Sequence, residues 1–162
     1  MINIIFSHEY KNHDTGKHPE SIERIKVVNN LLKHEYSNHN FIEPTIAEKK
    51  TISLVHDEKY IDNILVSIPN SGFTYFDPDT IASPNSLKSY LLAVGGSVDA
   101  VDYILDNENK GVFFCAHRPP GHHAEINKAM GFGVFNNVAV SAQYALNSNK
   151  FNKILIVDFD VH

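Results

Sequence analysis

Three short apolar runs in this chain have the length and composition of buried β-strands. Each is rich in aliphatic or aromatic residues and is bounded by polar residues typical of loops. They are residues 2–6 (INIIF), 111–116 (GVFFCA) and 152–160 (NKILIVDFD). Helical patterns lie between them, and strands that alternate with helices predict a parallel sheet with helices on its faces. The chain is therefore expected to be an α/β protein.

Apolar residues recur at helical spacing in four other stretches. In the first, Pro19 is suited to the opening turn of a helix, with Glu20 and Glu23 near its positive end. The apolar face of this helix consists of Ile22, Ile25, Val28, Leu31 and Leu32. The other patterns cover residues 51–67 in one or two pieces, 86–106 and 135–147. The pair Gly95-Gly96 in the third helix favours close packing against a neighbouring element.

Residues 68–86 (IPNSGFTYFDPDTIASPNS) predict a long loop without regular structure. The stretch contains three prolines, one glycine and several Asn, Asp and Ser residues, which favour turns. A loop of this length inside a compact domain is often functional.

Composition narrows the class of protein. The 162 residues suit one domain, and 43% hydrophobic residues suit a globular one. A net charge of -5 and a pI near 6.0 disfavour direct nucleic-acid binding, because they supply no positive field for a phosphate backbone. The single cysteine, Cys115, excludes an intramolecular disulfide, and no membrane span or secretory leader is evident. We therefore expect a cytoplasmic protein that does not contact membranes.

Two polar clusters follow predicted strands. AHRPPGHHAE occupies residues 116–125, and DFDVH occupies residues 158–162. If both strands are parallel and near each other, both clusters lie at the same edge of the sheet, where α/β proteins commonly bind ligands. Asp160 and His162 are two residues apart, so in an extended segment they point the same way and could hold Zn²⁺ or Fe²⁺. A third ligand must come from elsewhere, and an Asp-x-His spacing also occurs where a strand simply ends in a turn.

The adjacent His122 and His123 form a second candidate group. In isolation a histidine pair is most often part of a polar loop. Gly121 and the preceding pair Pro119-Pro120 restrict the backbone here, which limits how far the imidazoles can move. Beside a metal, one imidazole could take a proton from water while the other donates one to a leaving group. Asp158 could fix the tautomer of one of them.

Several motifs together resemble the histone deacetylase family, especially its class II and bacterial acetylpolyamine amidohydrolase branches. They are HDTGKHPESIERI (13–25), DPDTIASPNS (77–86), RPPGHHAE (118–125), GFGVFNNVAV (131–140) and VDFDVH (157–162). The arginases share the fold but order the Asp and His residues of their motif differently. The resemblance implies a three-layer parallel sheet of the arginase/deacetylase type, here truncated, and a zinc-dependent amidohydrolase.

The resemblance also implies roles for individual residues. By this resemblance Asp160 and His162 are zinc ligands, and His122 and His123 are the catalytic histidines. Asp158 orients a histidine and contributes to a structural potassium site. Phe132 forms a wall of the substrate channel, and Asp79 binds the substrate backbone. The implied substrates are acetylated lysine or acetylated polyamine-like amines.

Family enzymes are about twice as long as this chain and supply a third zinc ligand and a catalytic tyrosine from their later half. Residues 1–162 are therefore expected to form the N-terminal portion of one deacetylase domain, with deacetylase activity in the full-length protein. The alternative is a non-catalytic remnant or binding module with an incomplete metal site. On that alternative, the 162-residue chain alone is expected to bind zinc poorly, to expose an unpaired sheet edge and so to self-associate as a homo-oligomer.

Overall fold

The computed structural model describes residues 2–107 and 111–162. Short strands and longer helices alternate along most of this length. The strands are β1 (Asn3–Ile5), β2 (Asn40–Ile42), β3 (Thr74–Asp77), β4 (Thr80–Ala82) and β5 (Phe113–Cys115). The α-helices are α1 (Ile22–Glu35), α2 (Lys49–Ile52), α3 (Glu58–Ser67), α4 (Ser86–Asp106) and α5 (Asn137–Asn147), and a 3₁₀ helix spans His8–Asn12.

The main sheet is parallel, with strand order β2-β1-β5. Ile4 lies opposite Phe41 on one side and Phe114 on the other. The predicted parallel sheet is confirmed, as are the strands predicted at 2–6 and 111–116. The sequence did not predict β2, since its NFI segment carries too few apolar residues to stand out and none of them is fully buried.

The third predicted strand is wrong. Residues 152–160 have no regular secondary structure and make no strand pairing with any described residue. Leu155 is 85% exposed and Phe159 is 91% exposed, so the run is not buried either. Apolar composition favours a strand only where a neighbouring backbone completes its hydrogen bonds, and none of the described elements does so here.

The predicted irregular loop at 68–86 contains a hairpin, which corrects that prediction. Strands β3 and β4 pair antiparallel, with Thr74 opposite Ala82. The three prolines lie outside the strands: Pro69 precedes β3, Pro78 lies in the turn, and Pro84 follows β4. Proline lacks an N–H and is tolerated at such positions, so it does not interrupt the pairing.

The helices largely follow the predicted pattern. The 51–67 stretch forms two helices, and α4 has the predicted bounds. Helix α1 begins at Ile22, three residues after Pro19, and Leu31 is 52% exposed although it was assigned to the buried face. No helix in residues 2–107 and 111–162 is long and apolar enough to cross a membrane.

Helix α4 lies between two apolar clusters. On one side it packs with α3, α5 and the hairpin through residues such as Ile61, Val94 and Val140. On the other it packs with β1 and α1 through Leu92 and Ala93. Gly95 lets the loop before α2 approach closely, because a Cβ there would lie 1.9 Å from the carbonyl oxygen of Thr45. The predicted close packing at the glycine pair is confirmed.

Candidate active site

The two predicted polar clusters meet at His122. Its Nδ1 lies 2.9 Å from Oδ2 of Asp158, and its Nε2 lies 4.0 Å from Oδ2 of Asp160. An ionised Asp158 can only accept a hydrogen bond, so the neutral ring of His122 carries its hydrogen on Nδ1 and donates it to Oδ2. The lone pair of Nε2 then faces Asp160, which leaves this nitrogen free to take a proton.

Backbone hydrogen bonds hold both acids of the DFDVH segment. The N–H of Asp160 donates to Oδ1 of Asp158 over 3.0 Å, and the N–H of His162 donates to Oδ1 of Asp160 over 2.9 Å. The backbone N–H of Asp160, followed by the side chain of His122, holds the pKa of Asp158 below its ordinary value. The N–H of His162 lowers the pKa of Asp160 in the same way. Both carboxyls are therefore anionic at neutral pH.

The chemistry of Asp160 and His162 fits a divalent ion. Carboxylate oxygen and imidazole nitrogen are ligands that Zn²⁺ and Fe²⁺ accept, and the backbone N–H of His162 uses Oδ1 of Asp160 rather than Oδ2. Within the described ranges, no group of three or more His, Cys, Asp or Glu side chains is arranged to hold a metal. These residues thus provide two suitable donors, one fewer than a catalytic zinc site usually has.

His123 is fixed by a neighbouring glycine. Its ring centroid lies 4.2 Å from that of His122, with the two rings inclined at 63°. Gly131 has φ of +57°, and a Cβ at this position would lie 2.5 Å from the His123 ring. Only glycine can therefore occupy position 131 without displacing the second histidine.

Phe132 and the hairpin that carries Asp79 are joined through Thr80. The N–H of Phe132 donates to Oγ1 of Thr80 over 3.1 Å, and the Phe132 ring packs edge-on against His18 with centroids 5.1 Å apart. Asp79 is exposed in the turn beside Thr80, with its N–H bonded to Asp77. The structure therefore brings the segments of the two predicted substrate-binding residues together through Thr80.

An open cleft of about 670 Å³ borders His122, the first residue of the histidine pair. His122, Asp158 and Asp160 line it together with Cys115 and His117. Phe132 and Asp79 are not among its lining residues. Of the predicted site residues, the cleft therefore joins His122, Asp158 and Asp160 and leaves Phe132 and Asp79 outside its lining.

Sequence reasoning missed the ion pair that anchors the start of the histidine loop. Arg118 and Glu20 are 3% and 2% exposed, and the guanidinium binds both carboxylate oxygens at 2.7 and 2.9 Å. Arg118 also donates to the backbone carbonyls of Tyr10 and His13. Glu20 was predicted only to lie near the positive end of α1, and the structure adds that it is buried and paired with Arg118. Both residues lie in the motifs quoted above, but nothing in the sequence pairs them.

Asn136 holds the other side of the loop and was also missed. Its Nδ2 donates to the carbonyls of His122 and Ala124, each over 3.2 Å. Its Oδ1 accepts the N–H of Ala139 and so caps helix α5. A polar residue just before an apolar helix is the usual signal for a cap, whereas the two loop contacts leave no local signal.

Known proteins with similar sequences and structures extend over most of the chain. The histone deacetylase domain family matches residues 18–162. A Synechocystis protein described as uncharacterized is 37% identical, with 100% of this chain and 54% of that protein aligned. A probable deacetylase of Methanothermobacter thermautotrophicus is 31% identical, covering 98% of this chain and 47% of the relative. The crystal structure of the HDA15 HD domain superposes with a TM-score of 0.82 at 27% identity, covering 90% of this chain and 44% of that one. The chain spans about half the length of these relatives.

Proposed function

This chain belongs to the histone deacetylase family, and from that premise we propose that it carries the proton-transfer residues and part of the metal site of a zinc-dependent deacetylase. The reaction is hydrolysis of an acetamide to acetate and a free amine. The observation that carries the proposal is the contact of His122 with Asp158, with Nε2 directed toward Asp160.

Each residue of the site has one task in this proposal. Asp160 and His162 would hold Zn²⁺, or Fe²⁺ in its place, and such an ion when bound polarises an acyl carbonyl and lowers the pKa of a water molecule toward about 7. Asp158 keeps the hydrogen of His122 on Nδ1, so that Nε2 accepts the proton of the attacking water. His123 donates a proton to the amine nitrogen as the C–N bond breaks.

The substrate is proposed to be an acetylated lysine or an acetylated polyamine-like amine. Phe132 is proposed to form one wall of the channel that admits the acylated chain, and its contact with His18 supports this by fixing the ring. Asp79 is proposed to bind the substrate backbone from the neighbouring hairpin. A structural potassium ion near Asp158, a homo-oligomeric state and a cytoplasmic location stay predictions, and the net charge of -5 supports the absence of direct nucleic-acid binding.

The test is acetate release from an acetyl-lysine reporter in the presence of Zn²⁺, using the protein as its native gene produces it. His122→Ala and Asp160→Asn are expected to abolish release, because they remove the proton acceptor and a metal ligand. His34→Ala, at an exposed position of α1, is the matched control and should retain full turnover. Normal turnover in either site variant would refute the proposal.

The second candidate is a binding module with an incomplete metal site. Two suitable donors within the described ranges favour this alternative for the 162-residue chain by itself. Titration of the chain with Zn²⁺ by calorimetry separates the two candidates. Weak, substoichiometric binding without turnover supports the binding module, whereas tight equimolar binding with turnover excludes it.

A further inference from the structure

His56 is a buried histidine outside the candidate active site. It lies two residues before helix α3 and is almost completely excluded from solvent. Its ring centroid is 5.5 Å from those of Tyr60 and Phe135. These two aromatic rings leave the imidazole little room to rotate, so its two nitrogens keep fixed directions.

Both ring nitrogens of His56 are used, and in opposite senses. The N–H of Asn136 donates to Nε2 over 2.9 Å, so Nε2 carries no hydrogen. Nδ1 lies 3.1 Å from the carbonyl oxygen of Ile126 and must donate to it. The neutral ring with its hydrogen on Nδ1 satisfies both partners. A protonated ring would set its second N–H against that of Asn136 and leave that backbone group without an acceptor.

The two partners of His56 are the two sides of the histidine loop. Ile126 lies three residues after His123, and Asn136 lies at the start of α5. The side chain of Asn136 in turn binds the carbonyls of His122 and Ala124. One buried imidazole therefore ties residue 126 to residue 136 and, through Asn136, supports the backbone of His122 itself.

We propose that His56 is a positioning residue whose neutral imidazole fixes the backbone of the tandem-histidine loop, and that its protonation releases that loop. The effect on turnover rests on the proposed deacetylase function, whereas the effect on loop order does not. Burial of the ring lowers the pKa of His56, opposed by its hydrogen bond to Ile126 and by the charge of Asp57. A backbone hydrogen bond from the ring to Glu125 opposes the lowering as well. Tyr60, which packs against the ring, is a further titratable group beside it. The neutral His56 ring therefore holds the histidine loop at neutral pH, and the loop is released only when the pH falls below the ordinary pKa range of histidine.

Two non-titrating variants separate the roles of the two nitrogens. His56→Gln places an amide oxygen where Nε2 lies and so keeps an acceptor for Asn136. His56→Asn places an amide nitrogen where Nδ1 lies and so keeps only the donor to Ile126. His34→Gln, at an exposed position, is the matched control.

Loop order is measured by amide hydrogen exchange, and the tautomer by ¹⁵N NMR of the histidine rings. In the unsubstituted chain at neutral pH, the His56 Nε2 resonance should be that of an unprotonated nitrogen. His56→Asn should speed exchange of the Asn136 amide and of residues 122–124 about tenfold, while His56→Gln should stay near the unsubstituted rate. A protonated Nε2, or equal exchange in both variants and the control, would overturn the proposal.

Turnover adds a readout that a purely structural role would not change in this pattern. In the active protein, His56→Asn should lower kcat about a hundredfold with a smaller change in KM. His56→Gln should retain most of the unsubstituted kcat, and its dependence of kcat on pH should lack the contribution of His56 on the acid side. If the unsubstituted protein releases no acetate, the proposed deacetylase function fails, while the exchange and NMR results still decide the role of His56. Equal kcat in all variants of an active protein would overturn the positioning role.

Discussion

Replacing Glu20 with glutamine is expected to destabilise the fold by about 3 to 5 kcal/mol. The substitution keeps the shape of the side chain but removes its charge, so the buried guanidinium of Arg118 is left uncompensated. Two charge-assisted hydrogen bonds, at 2.7 and 2.9 Å, are weakened or lost. At about 1.5 to 3 kcal/mol each, their loss gives a figure of the same size.

The measurement is urea unfolding followed by circular dichroism. Glu23→Gln is the matched control, because Glu23 lies three residues away and pairs with Lys26 at the protein surface. Exposed pairs typically contribute less than about 1 kcal/mol. The double variant Glu20→Leu with Arg118→Met should recover part of the lost stability, since no buried charge remains, although two backbone carbonyls still lack donors.

Equal free energies of unfolding for Glu20→Gln and Glu23→Gln would refute this reasoning, because the buried pair would then contribute no more than a surface pair. A double variant less stable than Glu20→Gln would also count against it. That result would mean that the uncompensated charge is not the main cost.

Three further predictions concern other parts of the molecule. Burial lowers the pKa of His13 to about 3 and that of His117 to about 4. Below about pH 6.5 the unfolded chain therefore binds more protons than the folded one, and each of these two histidines should lower the free energy of unfolding by about 2 kcal/mol at pH 5. An equal urea midpoint at pH 7 and pH 5 would contradict this. Gly131→Ala should strain the backbone and displace the His123 ring, which should shift the NMR resonances of that ring. Gly72→Ala, at φ of +70° with open space around it, should cause backbone strain alone, and unchanged His123 resonances in Gly131→Ala would contradict the prediction. The segment 154–161, whose apolar side chains are exposed, should drive self-association of the chain, and Leu155→Lys should weaken that association in sedimentation experiments. A strictly monomeric unsubstituted chain would exclude this role of the segment.

Much of the fold could be predicted from local sequence patterns. The 21-residue helix α4 repeats its apolar signal at helical spacing, and β1 lies in a short apolar run that is followed by polar loop residues. The hairpin was missed because Pro78 and its neighbours indicate a turn so strongly that the short strands on either side do not stand out. The run at 152–160 was misread because apolar composition does not reveal whether a pairing partner exists.

The site divides in the same way. His122 and Asp158 could be brought together from the sequence because both follow apolar runs and carry characteristic chemistry. Their supports could not, because Glu20 and Arg118 are 98 residues apart and His56 and Asn136 are 80 apart. The residues next to a buried polar side chain in the sequence do not indicate which distant residue it will bind.

These long sequence separations have a consequence for the order in which the molecule folds. The loop that carries the histidine pair gains its shape from contacts with segments that precede it by 80 to 98 residues. Such contacts close large loops of chain, which is entropically costly, so they form after local helices such as α4. The arrangement of His122 and His123 is therefore expected to form last during folding. A stalled or partly refolded chain can have full helical content while these two histidines are not yet in place.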